Sequence, residues 1–190
     1  LGRNAHLVHY PVKAGAQINI VAIMRDRSAE PGWNNTGARE EILARFSRWS
    51  WAAPARAVLA APQQWAKWAL YDRRPLSAWG DGPVTLLGDA AHPLLPFLAQ
   101  GAAMAIEDAA VLADHLAASL DDPAKAMRSY EETRHRRTAQ AQQAARRNGG
   151  YYHSSGAEAV LRNLALRVMG GKQLLKRYDW LYAWKPPGDR

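Results

Sequence analysis

The chain has 190 residues, 48% of them apolar and 22% charged, which is enough for one sizeable domain with a buried core and is a globular balance. It contains no cysteine, which excludes disulfides and thiolate metal sites. The formal net charge of +8 points to an anionic partner, and a nucleotide cofactor or a carboxylate substrate suits that bias as well as nucleic acid does. Lys and Arg are spread along predicted helices, and no helix-turn-helix, finger or RNP motif is present, so nucleic acid is not the expected partner. No apolar run approaches the ~18 residues of a membrane span. Residues 1–5 lack the basic-then-apolar layout of an export signal. A cytoplasmic protein without a membrane partner is the expectation.

In chain order, residues 6–10 (His-Leu-Val-His-Tyr) read as a strand ended by Pro11, and residues 18–24 as a second strand after a turn through Gly15. No turn precedes Leu1, so the chain reads as starting inside a sheet. Residues 28–35 read as a loop. Thr36 reads as the cap of a helix through Glu40, Ile42, Leu43 and Phe46, with acids in its first turn. A short helix is expected from Pro54 to Ala61, and a strand from Trp65 to Tyr71. Val84-Thr85-Leu86-Leu87 is continuously apolar and ends at Gly88, as a buried strand does. A loop with Pro93 and Pro96 follows. A helix runs from Gly101 to about Leu120, and Pro123 opens another to about Asn148, where Gly149-Gly150 should stop it. Residues 157–178 read as helical, and Pro186-Pro187 closes the chain.

The chemistry concentrates in residues 86–109, Leu-Leu-Gly-Asp-Ala-Ala-His-Pro-Leu-Leu-Pro-Phe-Leu-Ala-Gln-Gly-Ala-Ala-Met-Ala-Ile-Glu-Asp-Ala. Gly88 lets a backbone or ligand come close. Asp89 follows the carboxyl end of the strand, where α/β sheets bind ligands, and its carboxylate can accept hydrogen bonds from sugar-type hydroxyls. The small residues Gly101, Ala102 and Ala103 leave a helix N-terminus open, with free N–H groups and the positive dipole end available to an anion or a partly negative carbonyl. The other reading of Asp89 is a turn or helix cap. His92 with Asp89 three residues away lacks a third metal ligand, so a turn-stabilising hydrogen bond is expected and no metal. Gln100 either reaches the cavity or only precedes the helix.

This string resembles the second FAD-binding motif of the class A flavoprotein monooxygenases, in particular the salicylate, 3-hydroxybenzoate and 6-hydroxynicotinate hydroxylases. The resemblance implies that Gly88, Asp89 and Pro93 lie on the FAD, with Asp89 at the ribityl or ribose region. It implies that amides at Gly101, Ala102 and Ala103 bind the flavin pyrimidine carbonyl, where the reduced ring is anionic and the helix dipole is favourable. It also implies that the loop from Pro93 to Pro96 lines the cavity between flavin and substrate, with Pro96 on the substrate side. Residues 6–11, 68–73 and 179–182 are similar to the family as well. By the same resemblance His6 is the catalytic proton acceptor and Tyr10 the substrate's hydrogen-bonding partner. The two share a strand face ~13 Å apart, and an imidazole near its ordinary pKa of about 6.5 suits phenol deprotonation. Their other reading is an exposed strand histidine and an ordinary sheet tyrosine, and His9 is read as structural.

The implied fold is α/β (α+β for this chain taken alone), an incomplete p-hydroxybenzoate-hydroxylase-like fold. Residues 1–83 would form the last part of the substrate-binding sheet, 84–120 the second FAD-binding segment and 121–190 a helical region. The implied activity is hydroxylation of a small hydroxylated aromatic acid, with FAD as cofactor and NADH or NADPH as co-substrate. The sequence holds no Gly-x-Gly-x-x-Gly, the motif that sets FAD pyrophosphate on a helix N-terminus. The chain is therefore expected to be inactive alone, and its open sheet edges to make it sticky or homodimeric. Two rival classes are a non-catalytic flavin- or aromatic-binding module and a basic nucleic-acid-binding domain. Glu107 and Asp108 point about 100° apart on a helix and are not a catalytic carboxylate pair; Asp108 is expected to anchor neighbouring chain. Arg134, Arg136, Arg137, Arg146 and Arg147 are read as a solvated face, or else as a docking face for NADH phosphates or a second subunit. Trp180 to Trp184 is read as packing.

Overall fold

A computed structural model describes residues 1–26, 32, 35–47 and 51–186. The loop expected at 28–35 and the closing Pro187 fall largely outside these residues. The chain divides into two compact units, Leu1–Leu70 with Gly150–Leu164, and Tyr71–Gly149 with Ala165–Arg190.

In the first unit, β1 (Ala5–Val12) and β2 (Gln17–Met24) form an antiparallel hairpin in which Ala5 faces Met24 and Val12 faces Gln17. Its tip turns through Lys13, Ala14 and Gly15, all with positive φ. Pro11 does not end the strand: it pairs with Ile18, which a two-stranded ribbon tolerates because half of its N–H groups point away from the partner. Alternation sends Ala5 and Leu7 to one face, where they meet Phe46 of α1 (Arg39–Ser47) and Leu59 of α2 (Ala53–Ala60). Pro54 sits in the first turn of α2, where a missing N–H costs nothing. Thr36 does not cap α1. It lies in β3 (Asn35–Ala38), opposite Ala66 of β4 (Gln64–Lys67), because a β-branched residue flanked by a pairing partner joins the ladder before the helix begins. The strand expected from Trp65 to Tyr71 begins at Gln64 and stops at Lys67, opposite Asn35.

In the second unit, β5 (Gly80–Asp81) and β6 (Val84–Thr85) make a two-residue hairpin. The expected buried strand over 84–87 is thus shorter and more open: Val84 is 65% and Leu86 37% exposed, because β5 is its only ladder partner among the described residues. Single 3-10 turns occupy Gly88–Ala90 and Pro96–Leu98. Three helices follow, α3 (Gly101–Ala118), α4 (Pro123–Tyr152) and α5 (Gly156–Lys176), the last interrupted at Gly170, and then the short α6 (Asp179–Tyr182). α4 and α5 contribute residues to both units. One apolar cluster joins Leu98, Met104, Ala141, Ala145 and Leu181; a second joins Trp79, Ala91, Val111 and Tyr130.

Gly149-Gly150 does not stop α4, which continues to Tyr152. A Cβ at Gly149 would sit 2.6 Å from Cδ2 of Phe97, so this glycine serves close approach of the loop to the helix and not termination.

Candidate functional site

The segment singled out in the sequence folds as strand end, 3-10 turn, proline loop and helix. Gly88 takes φ +60 and is buried, with the methyl group of Ala105 facing the position a Cβ would occupy, at 3.3 Å. Asp89 is exposed, and its carboxylate has no hydrogen-bond or ion-pair partner among the described residues. One carboxylate oxygen lies 3.8 Å from the place of a Cβ on Gly101, which puts the acid beside the start of α3. No side chain caps α3: Gln100 supplies only its carbonyl, to the amide of Met104. The amides of Gly101, Ala102 and Ala103 meet no acceptor among the described residues, and the Gly101–Ala103 side chains are too small to cover them. Gly88, Asp89, Gly101, Ala102 and Ala103 are therefore brought together. Pro93 and Pro96 lie in the loop between them, Pro93 half-buried and Pro96 exposed.

That loop is held by its backbone. Gln142 Nε2 donates to the Pro93 carbonyl at 3.1 Å, and Asn148 Nδ2 to the Phe97 carbonyl at 3.1 Å. Tyr130 Oη reaches the Leu86 carbonyl at 3.4 Å, and Arg73 donates to the carbonyls of Ala90 and Ala91. Arg128 grips the hairpin before it, donating to the carbonyls of Gly80 at 2.7 Å and Val84 at 2.8 Å. Sequence reasoning did not single out Tyr130, Gln142 or Asn148. Their spacing along α4 was the available signal.

Beneath the loop lies a buried charge network. Asp108 is fully buried; one oxygen accepts the Gly88 N–H at 3.0 Å and His92 Nε2 at 2.6 Å, and the other accepts Arg134 Nε at 2.7 Å. Burial works against the Asp108 charge, but the hydrogen bonds from His92 and Arg134 outweigh it and hold its pKa below the usual carboxylate range. Burial, reinforced by the Asp108 charge, raises the Tyr130 phenol. Arg134 also pairs with Glu107 at 2.7 Å, so the two neighbouring acids, pointing different ways, converge on one guanidinium. Arg137 takes Glu107 in a bidentate pair and donates to the carbonyls of Trp180 and Leu181. Trp184 lies against both guanidinium groups, at 5.4 and 5.3 Å.

The solvated-face expectation for the arginines is therefore overturned at three positions. Arg134 is 1% exposed, Arg137 is engaged with Glu107, and Arg146 pairs with Asp72 at 2.5 Å, because acids on α3 and in the preceding loop give them partners. His92 ties its loop to α3 through Asp108, and its Nδ1 is buried without a partner among the described residues.

His6 belongs to the first unit. It is 2% exposed, so the exposed-strand alternative does not hold. Its Nδ1 lies 2.8 Å from His153 Nε2, and its ring meets Tyr152 edge-on at 5.3 Å. Burial, then the neighbouring His153, pushes its pKa down to about 4, well below the ordinary value expected from sequence. Burial also lowers His153. Tyr10 is 46% exposed, and its hydroxyl accepts Asn19 Nδ2 across the hairpin at 2.7 Å. Among the described residues no group of three or more His, Asp or Glu side chains is placed to hold a metal. No described helix is long and apolar enough to cross a membrane.

Comparison with known proteins places this geometry. The family described as "FAD binding domain" matches residues 6–145. The chain is 39% identical over 184 residues to a 3-hydroxybenzoate 6-hydroxylase of Klebsiella oxytoca, covering 97% of this chain and 46% of that protein. It superposes with a TM-score of 0.78 on a salicylate hydroxylase solved as a substrate complex, at 30% identity, over 97% of this chain and 46% of the other. It also superposes with a TM-score of 0.75 on Klebsiella pneumoniae HpxO complexed with FAD and uric acid, at 26% identity, over 93% and 45%. The chain thus spans about half the length of the curated relatives it matches. On the extent of the family match, the small-residue helix start beside Asp89 and the shared fold, this chain belongs to the FAD binding domain family and is a part-length relative of the class A flavoprotein aromatic hydroxylases.

Proposed function

We propose that this chain supplies the flavin-ring and ribityl side of an aromatic hydroxylase site, within a protein that uses FAD and NADH or NADPH to hydroxylate a small hydroxylated aromatic acid. One observation carries the reading: three amides at the start of α3 and the carboxylate of Asp89 beside them have no partner among the described residues. An array of donors at a helix start suits a carbonyl that gains negative charge, and a free carboxylate suits a polyol. Gly88 and Pro93 shape the backbone that passes the cofactor, and Pro96 faces the substrate side.

Bound FAD supplies the oxygen-activating redox chemistry. The chain's own residues do the rest. The amides of Gly101, Ala102 and Ala103 would hold the flavin ring by a carbonyl at a helix start that favours negative charge, and Asp89 would hold the ribityl chain. His6 and Tyr10 line the substrate side of β1. His6, neutral at pH 7, accepts the phenolic proton. An anionic substrate beside it raises its basicity, against the burial and the neighbouring His153 that lower it. The pyrophosphate cradle is assigned to residues outside these 190, since no Gly-x-Gly-x-x-Gly is among them.

The test is a comparison of two samples. Residues 1–190 alone should bind FAD weakly and consume no NADH. The full-length protein carrying them should be yellow and should oxidise NADH with O₂ when 3-hydroxybenzoate or salicylate is added, yielding a hydroxylated product. A full-length protein that binds flavin yet hydroxylates no aromatic acid under these conditions would replace this reading with a non-catalytic flavin module.

A further inference from the structure

Nothing in the flavin reading assigns a role to Asp108, His92 or Arg134, which touch neither the proposed flavin amides nor the substrate strand. We propose that these three are the positioning unit of the flavin turn, fixing where Asp89 stands relative to the start of α3. This deepens the flavin reading and rests on it.

The geometry is specific. The Gly88–Ala90 turn begins with an amide and closes with the carbonyl of Gly88 accepting both the Ala91 and His92 amides at 2.9 Å. Asp108 Oδ2 takes hold of both ends, the Gly88 N–H at 3.0 Å and the His92 imidazole at 2.6 Å. Asp89 is the residue carried between them. The carboxylate itself sits two turns along α3 from Gly101, so the acid that holds the turn and the amides proposed for the flavin share one rigid element. Arg134 on α4 supplies the third contact at 2.7 Å and also donates to the Met104 carbonyl at 3.3 Å, one helical turn from the start of α3. Both oxygens of Asp108 are hydrogen-bonded inside the protein, and Asp108, His92 and Arg134 are each at most 1% exposed. Such an arrangement fixes a position well, because a displaced carboxylate would lose several charge-assisted bonds at once.

His92 matters here as a donor. A carboxylate only accepts, so Nε2 carries the proton in this contact. A side chain with an N–H at the same reach should replace it, and an apolar one should not. The buried ring therefore acts as an arm that pulls the far end of the turn onto α3.

The experiment uses the full-length, FAD-loaded protein and reads the FAD dissociation constant by flavin fluorescence, at a temperature where circular dichroism shows each variant folded. Asp108→Asn turns one acceptor into a donor facing other donors. It should weaken FAD binding by roughly tenfold or more, the scale of one charge-assisted hydrogen bond, and should shift the bound flavin's absorption bands. Ala110→Gly, an exposed substitution on the same helix, loosens α3 without touching the turn and should leave FAD affinity and spectrum near those of the parent. His92→Gln should bind FAD like the parent, while His92→Leu should behave like Asp108→Asn. Equal affinities for Asp108→Asn and Ala110→Gly would overturn the proposal. If Asp108→Asn does not fold, equal FAD affinities for His92→Gln and His92→Leu overturn it instead. Asp89→Ala separates the two levels: unchanged affinity there sinks the flavin reading itself, whereas loss there with no loss in the Asp108 and His92 variants sinks only the positioning role.

Discussion

The α-carbon of Gly149 lies so near the ring of Phe97 that a methyl group on it would come within 2.6 Å of Cδ2. The contact seats the proline loop against α4 at the level where Asn148 holds the Phe97 carbonyl. Gly149→Ala should therefore destabilise the protein by about 1–3 kcal/mol, the cost of overpacking, despite alanine's better helix propensity. Urea unfolding checks it, and a stabilised variant would mean that the ring turns aside freely.

The buried His6–His153 pair makes a pH prediction. Both imidazoles have depressed pKa values in the folded chain, His6 down to about 4, against about 6.5 when unfolded. Between these values the unfolded chain binds more protons, so folding stability is fully present above about pH 6.5 and is lost as pH falls toward 4. The groups around the pair are the amino group of Leu1 and the side chain of Arg25, both of which oppose protonation. At about 1.4 kcal/mol per pKa unit, His6 alone sets a ceiling of roughly 3 kcal/mol. Urea midpoints measured from pH 7.5 to 4.5 should fall for the parent and fall less steeply for His153→Gln, which keeps the buried His6. A flat parent profile would contradict the buried pair.

Asp89 should separate binding from stability. Its carboxylate is exposed and has no partner among the described residues, so Asp89→Ala should change unfolding free energy by no more than about 0.5 kcal/mol. In the full-length protein the same change should weaken FAD binding about 10- to 100-fold, the range for a hydrogen bond to a charged group. A variant that loses stability and keeps its flavin would reverse both expectations.

Arg134 should behave in the opposite way. Arg134→Ala leaves Asp108 buried with its charge poorly compensated and opens space beneath Trp184, and should cost about 3–5 kcal/mol. Thermal unfolding of the variant measures it; a loss under about 1 kcal/mol would place Arg134 with the surface arginines after all.

The parts legible in the sequence were those written in local patterns. Aromatic and β-branched runs on either side of a turn through Gly15 marked the β1–β2 hairpin, Pro54 and Pro123 marked helix starts, and the run from Leu86 to Ala103 announced a turn and an open helix start. What stayed hidden depends on partners distant in sequence. Buried positions on α4 follow Ala126, Tyr130, Arg134, Thr138, Ala141, Ala145 and Asn148, a regular stripe of one helix face. Three of those seven, Arg134, Thr138 and Asn148, are polar, so hydrophobic periodicity passes over the stripe, and its arginine looks solvated until Asp108 is seen opposite. The His6–His153 contact joins residues 147 apart and has no local signature at all. Thr36 and Trp65–Tyr71 show the converse: local propensity named a cap and a long strand, and the four-residue ladder between β3 and β4 decided otherwise.

One long helix grips the proline loop at Leu86, Pro93 and Phe97 through Tyr130, Gln142 and Asn148. A segment fastened at intervals to a stiff rod has few ways to breathe on its own, so its excursions should be those of the rod. Amide hydrogens from Gly88 to Leu98 should then exchange with deuterium at rates that rise and fall with those of α4, and ligand entry would proceed past a fixed wall and not beneath a swinging flap.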